Sequence, residues 1–497
     1  MRVLLLAVLA ASGTLVVARG VVASGAERET GAVDEYLAHR SSYEMQGDPA
    51  ALGAELALLE RVEREAPRAG RERERSELVR ARLEATLEGA FARVAGRPSK
   101  LRTGLAPERA SEAEARLALR IDRLALSVSD LVPDEIAAAR SDVAAERARF
   151  ESGAVAKALS GLEQALGSVR DVPAKPVRDY LRVLRAQACY RGSLEELVAL
   201  AESESRVLGE RMETLACSCG APSASALIER LKEEGSREDN VSVAREEARR
   251  SAAFARTLFP VPESVEATLS VDEGDPRSRT PFGHYIPVGW RGKLGHYVVT
   301  AAKGDDAGAI SRRRESFRFM LRGVAAHEGI PGHHLHFAVA ARSGDPLLGL
   351  PFEGATTEGW GLFVEGVLER AGYFDEPREA RLTPLRMRRW RADRVILDAG
   401  LQTGTLTREQ AIQRLQRDVG FDRSVAEDEV DRYKERAGYY AGYLLGARAF
   451  EAAERRALEQ GGPDAARAVR DRILSLGPSA PLRALRRIVK VDETRSP

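Results

Sequence analysis

The sequence predicts a mostly α-helical protein carrying a small β insert, and three observations carry that reading. First, of its 497 residues 44% are hydrophobic and 30% charged, but only 5% aromatic. That is apolar enough for a buried core, which excludes a wholly disordered chain, and too poor in aromatics for a sheet-rich protein. Ala, Leu, Arg and Glu dominate, the usage of helices. Second, apolar residues recur at three- and four-residue spacing from about 30 to 258, and again from near Arg312 to the end. Third, between 260 and 310 the period shortens to two.

The N-terminus reads Met1-Arg2, an apolar run from Val3 to Ala18 interrupted at Ser12-Gly13-Thr14, then Ala23-Ser24-Gly25-Ala26. A single positive charge, a short apolar stretch and a small-residue cleavage site describe a secretory signal peptide over 1–25. The run is short for a membrane span. Cleavage would leave a periplasmic or secreted protein without a membrane span, and retention of the leader an N-terminal anchor. No Cys near the cleavage region invites lipoprotein processing.

Residues 26–258 read as a helical region and 259–497 as the region bearing the chemistry, the two packing as one cleft-containing unit. Interleaved Arg and Glu from Glu60 to Glu84 read as a solvated helix face. Breaks fall at Gly96-Arg97-Pro98, Val132-Pro133, Val172-Pro173, Cys219-Gly220-Ala221-Pro222 and Phe259-Pro260. Pro133-Asp134-Glu135 resembles the first turn of a helix running to about 168. Val265–Val271, His284–Val288 and His296–Thr300 are the strand candidates. Met387-Arg388-Arg389-Trp390-Arg391 reads as another solvated helix face.

Lys+Arg number 76 and Asp+Glu 75, a net charge of +1 that provides no electrostatic footprint for nucleic acid or an anionic membrane. The three cysteines, Cys189, Cys217 and Cys219, make no disulfide framework and read as free thiols. Nothing in the sequence sets an oligomeric state. The histidines are more informative, because six of the seven lie between His284 and His336.

The segment His327-Glu328-Gly329-Ile330-Pro331-Gly332-His333-His334 concentrates the chemistry. A zinc-peptidase helix places two His at i and i+4 with Glu at i+1, since four residues turn about 400° and stack both rings on one face. Here i+4 is Pro331. Looping out Pro331-Gly332 restores the spacing, so a two-residue bulge would bring His333 beside His327, in preference to His334. Thr357-Glu358-Gly359-Trp360-Gly361-Leu362-Phe363-Val364-Glu365 offers two acids seven apart on one face as candidates for the third ligand, Glu358 following small residues at a helix start. Two His and a Glu leave a fourth position for water, which points to catalytic Zn2+. Glu328 would then be general base. Tyr443 is the candidate oxyanion donor. His284 and His296 flank a segment that could add a peptide as a strand. Arg394 and Asp398, four apart, read as a helix pair.

The pattern His327-Glu328-x-x-Pro331-Gly332-His333-His334, followed by Glu358-Gly359-Trp360 and Glu365, resembles the bacterial domain-of-unknown-function 885 family. Arg394-Val395-Ile396-Leu397-Asp398-Ala399-Gly400-Leu401 and Glu429-Val430-x-Arg432-Tyr433 with Gly438 and Tyr443-Leu444-Leu445-Gly446 extend the resemblance over roughly 280–450. That family is similar to helical zinc peptidases of the gluzincin kind, and Glu-Gly-Trp looks like the Glu-Gly-Phe that carries their third ligand. The resemblance thus implies a gluzincin fold and favours Glu358 over Glu365. It also departs from the family: Gln402 stands for a His that would help hold substrate, Ala437 for a Pro, and Tyr439-Tyr440 for Gln-Ala. The expected function is a zinc hydrolase acting on a peptide or small peptide-like substrate. Its rivals are a hydrolase of non-peptide amides or esters, and a metal- or peptide-binding relative without catalysis.

Overall fold

The computed structural model describes residues 70–95, 153–168, 176–235, 238–274, 282–288, 293–300, 306–349, 354–435 and 437–489, with isolated positions between 33 and 66 and between 140 and 148. The leader over 1–25 and the breaks near Pro98, Pro133 and Pro173 lie outside the described residues.

The chain is mostly helical. The first half supplies α1 (Arg71–Ala95), α2 (Gly153–Ser168), α3 (Pro176–Ala188), α4 (Leu194–Ser218), α5 (Ala224–Gly235), α6 (Asn240–Ala255) and a single turn, α7 (Glu263–Glu266). Local chemistry sets their ends. Ser193 and Glu196 form a reciprocal capping box on α4, Gly220 turns the chain after it with φ +70°, and the Asp239 carboxylate accepts from Ser242 N to cap α6. Gly153 opens α2 with φ +96°, so the segment from Pro133 to 168 is not one unbroken helix.

Three short strands follow, β1 (Leu269–Glu273), β2 (Gly283–Ile286) and β3 (Gly295–Val299), in the order β1-β3-β2. β1 runs parallel to β3 with Ser270 opposite His296, and β2 runs antiparallel with His284 opposite Val298. Val265 and Glu266, expected at the start of the first strand, are helical instead. Pro262 starts α7, and Val265 is fully buried in the helical core, which an edge-strand position would not allow.

The remaining helices are α8 (Ala307–Glu315), α9 (Arg318–Glu328), α10 (His333–Arg342), α11 (Gly354–Arg370), α12 (Leu382–Thr403), α13 (Arg408–Arg414), α14 (Arg423–Glu435), α15 (Tyr439–Leu476) and α16 (Leu482–Ile488). α15 is interrupted at Gly462, φ +73°, before Pro463. α11 lies against α15 with backbones touching: a Cβ on Gly446 would overlap the carbonyl of Ala355, and one on Gly359 would sit 2.6 Å from Gly446 Cα. α12 packs between α4 and α15 and is buried nearly all round. The solvated face expected at Met387–Arg391 is therefore absent. Met387, Trp390 and Arg391 are buried, and Arg388 bonds to Glu204 and Glu451 from α4 and α15. Acids on neighbouring helices draw Arg388 inside the fold, a pairing that a single-helix pattern does not display.

Candidate metal centre

α9 stops at Glu328, and α10 begins five residues later at His333. The chain between them contains a cis Ile330–Pro331 bond, with Gly332 just before α10. Pro331 lacks the N–H a continuing helix needs, so the helix ends where a bulge was expected. The turn is tied down from outside. Trp360 Nε1 donates to Pro331 O at 3.0 Å, and Ser251 Oγ donates to Ile330 O at 2.5 Å. Gly332 approaches so closely that a Cβ there would overlap the carbonyl of His327.

The turn delivers the outcome the bulge was meant to deliver. The rings of His327 and His333 lie 4.6 Å apart at 76°. Glu358 Oε2, on α11, is 3.5 Å from His327 Nε2 and 3.4 Å from His333 Nε2. Donors each about 2.0–2.1 Å from a tetrahedral ion lie about 3.3–3.4 Å apart. The three ligand atoms fall within 4.8 Å of one another, all on buried residues, and His327, His333 and Glu358 can hold a metal ion.

The electrostatics fit a cation. Burial opposes charge on His327, yet Glu358 and Glu365 hold its imidazole up to about 9. Burial likewise opposes charge on Glu358, and hydrogen bonds from the two histidines hold its carboxyl well below the ordinary value. A metal ion held there would take the place of the positive charge that these carboxylates draw onto His327.

The outer ring of residues orients the ligands. Glu365 Oε1 lies 2.6 Å from His327 Nδ1, so Nδ1–H donates to it and Nε2, on the Glu358 side, is the nitrogen that a metal would take. Tyr439 donates its hydroxyl to Glu358 Oε1 at 2.5 Å, leaving Oε2 to the histidines. Gly361 admits the His327 ring, which a Cβ would overlap. Glu328, partly exposed, brings Oε2 to 3.8 Å from His333 Nε2. Burial raises its pKa, while His333 and His327 pull it back. Tyr443 stacks on His327 at 6.3 Å and 16°, and burial raises its phenol pKa.

The other candidates sit apart from these ligand atoms. His334 turns away: Nε2 is 2.8 Å from Val265 O, and Nδ1 is 3.0 Å from the Tyr285 hydroxyl. Burial lowers its pKa to about 4. His296 bonds through Nδ1 to Asp272 Oδ2 at 2.6 Å on the sheet, and His284 is exposed on β2. Gln402 donates to Tyr433 O at 2.9 Å. Arg394 pairs with Glu429 at 3.0 Å and not with Asp398, which accepts from Tyr180 Oη at 3.1 Å and Gly438 N at 2.8 Å.

Sequence reasoning weighed Glu365 only as a rival ligand and assigned no role to Trp360 or Tyr439. The seven-residue spacing from Glu358 to Glu365 signalled a shared face. Tyr439, four before Tyr443 on α15, carried the same signal.

A profile of a family described as bacterial protein of unknown function (DUF885) matches residues 63–489. The chain belongs to this family. No curated protein matches it. Two solved structures share the fold. A candidate lipoprotein from Colwellia psychrerythraea is 18% identical at TM-score 0.55, with 87% of this chain and 78% of that chain covered. A candidate lipoprotein of unknown function from Shewanella oneidensis is 19% identical at TM-score 0.54, with 92% and 84% covered.

Proposed function

We propose that the protein is an exported zinc-dependent hydrolase of the gluzincin kind, acting on peptides. The single observation that carries this reading is the convergence of one atom each from His327, His333 and Glu358 within 4.8 Å of one another, with Glu358 Oε2 3.5 Å and 3.4 Å from the two imidazole Nε2 atoms and Glu328 beside them. Two imidazoles and one carboxylate are the donor set of a catalytic zinc with an open position. Zinc, when bound there, lowers the pKa of water and polarises a carbonyl oxygen.

The chain's own groups supply the rest. Glu328 Oε2 takes the proton of the attacking water and returns it to the leaving nitrogen. Its raised pKa makes it a better proton acceptor than an ordinary carboxylate. The Tyr443 hydroxyl donates to the oxygen that becomes anionic on the substrate carbon. His327 keeps one tautomer because Glu365 holds Nδ1–H. Export rests on the leader-like N-terminus and on the two fold relatives being named as candidate lipoproteins. No helix among the described residues is long and apolar enough to cross a membrane.

Zinc-loaded wild type and Glu328→Gln, assayed on a mixed peptide library, test the reading. Wild type should cleave, and the variant should keep its metal while turnover falls by on the order of 10² to 10⁴. Equal turnover would assign the hydrolysis to another group. Turnover of esters or non-peptide amides alone would replace the substrate class. Silence of both proteins would leave a metal- or peptide-binding protein.

A further inference from the structure

Beside the metal centre three guanidiniums gather around a group of tyrosines. Arg391 and Arg394 stand three apart on α12, 4% and 5% exposed, and Arg432 reaches in from α14 with its side chain 23% exposed. Arg394 lies 4.7 Å from the Tyr443 ring and 5.3 Å from that of Tyr440, and Arg391 lies 5.8 Å from Tyr443.

Their counter-charges fall short. Among the described residues, the carboxylates paired with the three are Glu429, shared by Arg394 and Arg432, and Glu365, 3.8 Å from Arg391. Three positive charges thus meet two negative ones, and Glu365 is already engaged by His327. A divalent ion at the centre would be balanced by Glu358 and Glu328, so the surplus would persist. The hydrogen bonds tell the same story: Arg391 Nε, Arg394 Nη1 and Arg432 Nε are buried without an acceptor. A buried donor without an acceptor is costly, and more so on a charged group. Burial and the like charge of Arg394 hold Arg391 and Arg432 below the ordinary guanidinium range. Tyrosine ring faces offset part of the charge, but they do not replace an anion. Arg432 and Tyr443 are partly exposed, so solvent reaches the edge of the cluster, and the Tyr443 ring also meets His327.

We propose that Arg391, Arg394 and Arg432 form an anion subsite that receives a carboxylate of the substrate, so that the hydrolase acts on peptides ending in a free C-terminal carboxylate. The assignment rests on the metal-hydrolase reading for its substrate and on the unpaired guanidinium N–H groups for its chemistry. Planar guanidiniums bind carboxylates through paired hydrogen bonds, and the cluster adjoins the centre through Glu365 and Tyr443, which sets cleavage near the C-terminus. A free halide presents related chemistry, and the experiment separates the two sources.

The probe is N-acetyl-Ala-Ala-Phe-Ala, as the free acid and as the C-terminal amide. Each is titrated by calorimetry into zinc-loaded Glu328→Gln protein, in chloride-free buffer and with sodium chloride added. The acid should bind on the order of 10- to 100-fold more tightly than the amide, the range of one or two hydrogen bonds between charged groups. Arg432→Gln, at the partly exposed member, should close most of that gap, and Arg432→Lys should restore part of it. Chloride should weaken the acid and leave the amide unchanged. Equal affinities, or no binding of either form, overturn the proposal, and so does chloride binding without an acid–amide difference. A wild type that cleaves nothing while the acid preference holds would remove the hydrolase reading and leave the subsite standing.

Discussion

Replacing Glu365 with Gln removes a negative charge from behind His327 while keeping the side chain's size. In the wild type Glu365 Oε1 accepts a hydrogen bond from His327 Nδ1–H at 2.6 Å, with both side chains buried. A short hydrogen bond to a carboxylate in such surroundings is worth about 1.5–3 kcal/mol. The Gln carbonyl still accepts, so roughly half of that is lost, and at about 1.4 kcal/mol per factor of ten metal affinity should fall about tenfold. That is the low end of the 10- to 100-fold usual for a carboxylate that orients a ligand histidine. The assay is competition for zinc with a chromophoric chelator, with circular dichroism to verify the fold. Wild-type affinity in a folded Glu365→Gln protein would show that His327 is oriented by its packing alone, and would refute the role given to the Glu365 charge.

His333→Ala should lose most of its zinc affinity, whereas His334→Ala should bind zinc near the wild-type level and melt lower, because its ring holds Val265 O and Tyr285; chelator competition and thermal melts distinguish them, and the reverse order would contradict the turn between α9 and α10. Gly361→Ala places a Cβ against the His327 ring and should weaken zinc binding, while Gly366→Ala on the same helix meets Arg370 at an ordinary 3.4 Å and should not. Burial pushes Asp398 up to about 7, against about 3.9 in an unfolded chain. The folded state therefore holds this proton more tightly, and the stability it contributes is complete below about pH 4 and lost as pH rises to about 7. Asp398→Asn cannot ionise, so its melting temperature should gain on wild type between about pH 5 and pH 8, and a constant difference would show that Asp398 does not titrate there.

The helical class and the three residues that can hold a metal ion were legible because their signals are local. The spacing of His327, Glu328 and His333, the Pro-Gly between them and the helix-start acid at Glu358 all lie in short windows. What escaped depends on distant partners. The ending of α9 is secured by Trp360 Nε1 on Pro331 O and Ser251 on Ile330 O, from 29 and 79 residues away. Arg388 reads as solvated until Glu204 and Glu451 are brought to it, and Arg394 turns to Glu429 on another helix. Val265 shows a period-two pattern, yet Pro262 starts a helical turn and the core claims its side chain. Tyr439 became visible as a partner of Glu358 only once α15 was laid against α11.

Metal stoichiometry tests the central claim most directly. Elemental analysis of protein expressed with added zinc and then dialysed should find about one zinc per chain in wild type and almost none in a His327→Ala, His333→Ala double variant that remains folded. Wild-type protein without any transition metal, or a double variant that keeps its zinc, would contradict the assignment of His327, His333 and Glu358 as a metal centre.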